Sequence, residues 1–172
     1  VNKWWLCDEG RLTYRMMNER KTRIHQPLGR VDGKLEGISW NEAYGAIAER
    51  VSEMSPLPQE VLALTDTHAS NEELFLLQKL LKDIFSTENI FCPLPNWEQS
   101  ESDFFINTLI TSDKTPNRAG ALALKIKGDA KTAKLKKAVE SDPKVVFVLG
   151  NPFEAESEIQ EQLKRAQLVV HL

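Results

Sequence analysis

The sequence predicts an α/β domain with a parallel sheet, preceded by an irregular N-terminal segment that carries a β-hairpin. Three observations predict it. The short, wholly apolar runs Val61-Leu62-Ala63-Leu64 and Val145-Val146-Phe147-Val148-Leu149 suit strands buried on both faces of a parallel sheet. Stretches with apolar residues at helical spacing alternate with those runs. The last third reads strand, helix, strand, and such a connection in one sheet is right-handed, which puts helices on both faces.

The elements follow in order. Residues 1–38 form the irregular segment. Within it Arg30-Val31-Asp32-Gly33-Lys34-Leu35 sets Asp-Gly between short extended pieces, a strong hairpin signal. Residues 39–172 form the α/β domain. Ser39-Trp40-Asn41-Glu42 has capping-box spacing, with Glu42 reaching back to the cap amide. Ala43, Ile47 and Val51 then make an apolar stripe on a helix that ends near Met54, before Ser55-Pro56-Leu57-Pro58. After strand 61–64, Asn71 is the expected cap of a helix running to Phe85, with Leu74, Leu77, Leu81 and Ile84 inward. Asn89-Ile90-Phe91-Cys92 is a further short strand. A helical pattern covers 98–110, and a loop runs through Thr115-Pro116-Asn117-Arg118. A helix over 130–141 leads to the strand 145–149. Gly150-Asn151-Pro152 turns into a helix over 154–166, and Leu168-Val169-Val170 is the next strand.

Composition excludes several classes. With 172 residues, 41% hydrophobic and 27% charged, the chain has the size of one domain. The longest apolar run is Val145 to Leu149, far short of the ~20 residues of a spanning helix. The first residues show no basic stretch followed by an apolar one, so no signal peptide is expected. Cys7 and Cys92 are the two cysteines and form no disulfide framework. With 22 Lys and Arg against 25 Asp and Glu, the net charge of −3 excludes a general nucleic-acid grip. Residues 1–36 nevertheless carry eight basic against five acidic side chains. That excess reads either as a contact surface for an acidic neighbour or as a solvated segment. Lys125, Lys127, Lys131, Lys134, Lys136 and Lys137 have no aromatics between them and read as a solvated face. The chain begins at Val1 and ends at Leu172 inside an expected strand, so we read it as a piece of a longer protein.

Little in this pattern points to chemistry. His25, His68 and His171 lack partners at metal-ligand spacing and read as structural or solvated. Neither GxGxxG nor GxxxxGK[ST] occurs. The N-terminal segment differs. Trp4-Trp5-Leu6-Cys7-Asp8-Glu9-Gly10-Arg11 places a single cysteine just before a glycine turn. Cys7 reads as a small buried side chain or as a metal ligand.

The segment resembles the end of an iron–sulfur motif, C-x2-C-x3-C followed after about 27 residues by C-x-x-G-R. That motif opens the molybdopterin oxidoreductase family, whose members include formate dehydrogenases and the large iron–sulfur subunit of NADH-quinone oxidoreductase. Gly33-Lys34-Leu35-Glu36-Gly37-Ile38-Ser39-Trp40-Asn41-Glu42-Ala43 resembles the family's G-x-x-x-x-I-S-W-[DN]-E-A stretch. Ser70-Asn71-Glu72-Glu73 with Leu77-Gln78-Lys79 is similar to its next signature. Asp113-Lys114 with Pro116-Asn117-Arg118-Ala119-Gly120-Ala121 resembles the NADH-quinone oxidoreductase branch. Val148-Leu149-Gly150-Asn151-Pro152 resembles the turn that touches the pterin dinucleotide in molybdenum members.

The resemblance implies a Rossmann-like fold of the molybdopterin-oxidoreductase type, cut at its C-terminal end. It implies Cys7 as the fourth ligand of a [4Fe–4S] cluster, with the other three cysteines upstream of Val1. Gly10 would let the backbone approach the cluster, since it has no Cβ. Trp4, Trp5 and Leu6 either shield the cluster or pack a core.

Three departures separate the branches. Pterin-binding members carry Lys two places after the fourth cysteine, where this chain has Glu9. The metal-binding Cys or selenocysteine of formate dehydrogenases falls near Asn96-Trp97, and Cys92 lies too early, with Pro93 after it. Glu154 and Glu156 put negative charge at a helix start that would otherwise attract a phosphate. We therefore expect Gly150, Asn151 and Pro152 to be a vestigial pterin-dinucleotide turn and no molybdopterin to bind. The expected role is a scaffold beside the cluster in an electron-transfer subunit, itself inactive and binding no cluster as a piece. Expected partners are other subunits of a respiratory complex, with no nucleic acid and no direct membrane insertion. The expected location is cytoplasmic, peripheral to the inner membrane. A truncated sheet edge predicts some homodimer. The alternatives are a piece of a molybdopterin-dependent enzyme such as a formate dehydrogenase alpha chain, and a non-catalytic α/β interaction module.

Overall fold

The computed structural model describes residues 12, 14, 18, 19, 21, 23–93, 115–126, 133–152, 159, 161 and 163–172. They divide into two compact units, residues 1–48 and 49–172.

The first unit holds the expected hairpin. Strands β1 (Leu28–Val31) and β2 (Lys34–Gly37) pair antiparallel, with Val31 opposite Lys34. Both turn residues have positive φ, 48° at Asp32 and 81° at Gly33. That backbone matches the twist of a two-residue hairpin, and Asp-Gly tolerates it at low cost. The Arg30 guanidinium donates to the Gly33 carbonyl at 2.8 Å and braces the turn. The capping box at Ser39 also forms. Ser39 N–H donates to Glu42 Oε2 at 2.7 Å, and Glu42 N–H donates to Ser39 Oγ at 3.3 Å. These bonds hold the Glu42 carboxyl below the usual carboxylate range.

Helix α1 (Trp40–Met54) starts at this box. Ala43, Ile47 and Val51 are half-buried, and no residue of α1 is fully buried. Its first turn exposes Trp40 and Tyr44, whose rings lie 5.6 Å apart.

The second unit contains a four-stranded sheet. A short 3-10 turn (Pro58–Glu60) leads into β3 (Val61–Thr65), all five residues of which are buried. Helix α2 (Asn71–Phe85) and the two-residue β4 (Ile90–Phe91) follow. Next come helices α3 (Arg118–Ala123) and α4 (Ala133–Glu140), then β5 (Val145–Leu149) and β6 (Leu168–His171). The strand order is β4-β3-β5-β6, and each pair is parallel.

Helices cover both faces. Leu62 and Leu64 of β3 and Val146 and Val148 of β5 join Leu135 and Val139 of α4, Ile159 and Leu163 in one core cluster. From α2, the Phe85 ring lies 5.6 Å from that of Phe147 of β5, a residue that alternates with Val146 and Val148 along the strand. Alternation along a strand assigns these neighbours to opposite faces.

Three expectations are corrected. The N-cap of α2 is Ser70, not Asn71: Ser70 Oγ accepts from Glu73 N–H at 3.2 Å, and Ser70 N–H donates to Glu73 Oε2 at 2.7 Å. The hydroxyl stands one position earlier, where the backbone is still extended, as a cap requires. Second, Ile84 is 65% exposed and Phe85 takes the inward place. At about 100° per residue, position 85 falls in line with 74 and 81, whereas 84 falls nearest 77, at the margin of the buried stripe. Third, the loop expected through Arg118 stops at Asn117, the N-cap, and α3 begins at Arg118.

Residues 133–140 are helical as expected, and Ile159, Glu161 and Leu163 are in helical conformation; the helix expected over 154–166 gives way to a turn at Lys164 and Arg165, ahead of the last strand. The pattern over 98–110 lies outside the described residues. No helix among the described residues is long and apolar enough to cross a membrane.

Candidate functional site

The strand order locates a switch point. From β3 the chain crosses to β4 on one side, and from β5 it crosses to β6 on the other. Adjacent strands whose connections leave in opposite directions form a switch point, and open α/β sheets bind ligands there, outside the carboxyl ends of the strands. Here those ends are Thr65 of β3 and Leu149 of β5, which stand opposite each other in register.

Two segments meet at this edge. After β5, Gly150 takes φ +78°, a conformation that other residues adopt at a cost. After β3 comes Asp66, and its carboxylate fills the space beside Gly150. A Cβ at position 150 would lie 2.5 Å from Asp66 Oδ2. That same oxygen accepts the Asn151 N–H at 2.6 Å. Asp66 Oδ1 accepts the His68 N–H at 2.8 Å, closing a side-chain turn over its own loop. The Asp66 side chain is mostly buried, at 14% exposure.

Neighbouring groups hold this arrangement. His171, at the end of β6, places Nε2 2.7 Å from the Gly150 carbonyl oxygen. A carbonyl only accepts, so the ring nitrogen there must carry the proton. The His68 ring is largely exposed, with Nδ1 3.8 Å from Asp66 Oδ1, an ion pair when protonated. Asn117 secures the loop after β3. Its N–H donates to the Thr67 carbonyl at 2.9 Å, and its Nδ2 donates to the Ala69 carbonyl at 2.8 Å and to Asn71 Oδ1 at 3.0 Å. Gly120 permits this docking, because a Cβ there would collide with the side-chain oxygens of Asn71 and Asn117.

Of the residues expected to act, Gly150, Asn151 and Pro152 are described, and Pro152 is buried. Cys7, Gly10, Trp4, Trp5, Leu6, Glu9, Asn96, Trp97, Glu154 and Glu156 lie outside the described residues. Cys92 follows β4 and is fully buried. Burial, with the charge of Asp66 adding to it, pushes its thiol up to about 11. It is therefore a neutral thiol near pH 7, and thiolates are what bind metals. Among the described residues no three His, Cys, Asp or Glu side chains are placed to hold a metal ion.

Sequence reading missed Asp66, His171 as a partner of Gly150, and Asn117 as the fastener of the loop. The only signal for Asp66 was its position one residue past a buried strand. The turn at Gly150 resembles one that meets a phosphate-bearing cofactor, and its geometry decides the fit. A phosphate approaching this turn would meet the Asp66 carboxylate, which already takes the Asn151 N–H and the space beside Gly150. The residues present do not fit that group.

The sequence is similar to known proteins over much of its length. The Molybdopterin oxidoreductase family profile matches residues 23–115. An NADH-quinone oxidoreductase subunit of Rickettsia bellii is 36% identical over 84 residues, 49% of this chain and 12% of the relative. The subunit of the same name from Rickettsia conorii is 27% identical over 109 residues, 63% of this chain and 14% of the relative. A Staphylococcus aureus protein named "Putative formate dehydrogenase" is 28% identical over 102 residues, 55% of this chain and 10% of the relative. The chain thus spans about a tenth to a seventh of the length of these relatives. With the profile covering more than half of its residues, the chain belongs to the molybdopterin oxidoreductase family.

Proposed function

We propose that the chain is part of an electron-transfer subunit of an NADH:quinone oxidoreductase, akin to the large iron–sulfur subunit, and serves there as a scaffold beside a [4Fe–4S] cluster without binding molybdopterin. The observation that carries the second half is the Asp66 carboxylate on the Asn151 N–H, beside Gly150. It puts a negative charge where a cofactor phosphate would have to sit. Similarity to the two Rickettsia subunits supports the first half.

In this reading Cys7 is the fourth cluster ligand, a soft anionic donor suited to iron, and Gly10 lets the backbone pass close to the cluster. The other three ligands come from residues upstream. Gly150, Asn151 and Pro152 keep the turn of a pterin-binding ancestor without its ligand. The partners are other subunits of a respiratory complex, which would hold the chain at the membrane periphery.

The test uses the parent protein with its upstream segment. A [4Fe–4S] EPR signal should appear on reduction, and Cys7→Ser should abolish or alter it. An unchanged signal would end the ligand assignment. Metal analysis of the same protein should find no stoichiometric molybdenum or tungsten. The second reading, a molybdopterin-dependent dehydrogenase, is favoured by the Staphylococcus aureus relative. Stoichiometric molybdenum or tungsten would establish it over ours.

A further inference from the structure

We infer that Asp66 is a built-in anion that stands where a ligand's phosphate would sit at this switch point and closes it to phosphate and pyrophosphate groups. The inference deepens the scaffold reading and rests on it. Three independent features converge. The topology sets the switch point between β3 and β5. Gly150, at φ +78°, opens a space that any other residue would fill. Asp66 enters that space and takes one backbone N–H on each oxygen, Asn151 on Oδ2 and His68 on Oδ1.

The chemistry of the exchange is simple. Carboxylate and phosphate are both oxyanions that accept short, charge-assisted bonds from backbone N–H groups. An incoming phosphate must therefore displace Asp66 or share its amide, and sharing would bring two like charges within a few ångströms. Because Asp66 is tethered to β3, its local concentration far exceeds that of a free ligand. The turn thus keeps its shape with no ligand bound. A glycine suited to close approach of a foreign anion is used for one the chain supplies.

The test is an NMR titration of the 15N-labelled chain with sodium pyrophosphate, read at the Gly150 and Asn151 amides. The unaltered chain should show no saturable shift there. Asp66→Gly, which empties the space, and Asp66→Asn, which keeps the shape and removes the charge, should bind pyrophosphate at least about tenfold more tightly. Binding to the unaltered chain as tight as to the variants would overturn the inference. So would folded variants, with unchanged spectra elsewhere, that give no saturable shift. Hydrogen exchange of the Asn151 amide in the unaltered chain checks the same bond without any variant. Protection is expected, and exchange at the unstructured rate would overturn the inference. An unchanged EPR signal in Cys7→Ser would defeat the cluster half of the scaffold reading and leave this inference standing, whereas pyrophosphate binding to the unaltered chain would defeat this inference and leave the cluster assignment standing.

Discussion

Lys144 and Glu60 join the amino ends of the two central strands twice. The Lys144 N–H donates to the Glu60 carbonyl at 2.8 Å, and its ammonium lies 2.9 Å from Glu60 Oε1. At the other end of the same strands, Asp66 bridges to Asn151. The β3–β5 pair is therefore fastened at both edges by a carboxylate from the β3 side.

The amino-end clasp has a defined pH dependence. Lys144, with the Leu57 N–H, holds the Glu60 carboxyl below its ordinary value of 4.5. A depressed carboxyl stabilises the fold above its unfolded value, and the contribution is lost as pH falls through the folded one. Glu60→Gln should be slightly less stable than the unaltered chain at neutral pH. The two should converge as pH falls below the ordinary carboxylate range and through the lowered folded value, in urea titrations followed by circular dichroism. A gap that persists in acid would show that charge plays no part.

Gly150→Ala should be destabilising for two separable reasons. Positive φ costs roughly 1–2 kcal/mol for a residue with a Cβ. The collision with Asp66 adds about 1–3 kcal/mol of overpacking. Introduced into Asp66→Gly, the same change should lose the second part. A double-mutant cycle from urea unfolding reads the difference directly, and additive costs would mean the two residues do not share that space.

The inward face of α2 can be checked at its last turn. Phe85→Ala should cost about 3–5 kcal/mol, because it removes a buried ring packed on Phe147. Ile84→Ala should stay within about 0.5 kcal/mol, as for other exposed positions. Thermal or urea unfolding of the two variants settles which residue faces the core.

Cys92 should resist alkylation in the folded chain. Its thiol is raised from 9.0 to about 11, so the folded state holds that proton more tightly than the unfolded one. The resulting stability is complete below about pH 9 and is lost as pH rises toward 11, on the order of 2 kcal/mol in all. Cys92→Ala should remove this loss. Peptide mapping after iodoacetamide treatment should find Cys92 unmodified at pH 8 until denaturant is added.

Strand β6 pairs with β5 along one side only among the described residues, and it exposes Val169. Such an edge can recruit a second copy. Light scattering should show a mass that rises with concentration, and Val169→Lys should reduce the rise. A single monomeric mass at every concentration would count against pairing.

Local signals were legible wherever neighbouring residues carried them. Asp32-Gly33 announces its hairpin, Ser39 and Glu42 their cap, and the Val145–Leu149 run its buried strand. Errors arose where two neighbours competed for one role, Ser70 against Asn71 for the cap and Phe85 against Ile84 for the core. Short-range patterns rank such neighbours poorly, because a shift of one residue changes the periodicity little. The six-residue α3 was missed for lack of length, since it presents no repeat to read. The Asp66–Asn151 bond was illegible for another reason. It links positions 85 apart, and nothing near Asp66 distinguishes it from any polar loop residue.

The order of strands also bears on how the chain is made. β3 lies in the middle of the sheet, yet its longest partner, β5, follows 84 positions later. Among the described strands, only the two-residue β4 is available for β3 to close on early in synthesis, so one side of an apolar strand waits for β5. Long closures of this kind slow folding and prolong the exposure of sticky surface. Once β5 emerges, the Glu60–Lys144 and Asp66–Asn151 bonds can lock its register from both ends. The docking of β5 on β3, on which β6 then builds, would set the rate at which this part of the protein matures.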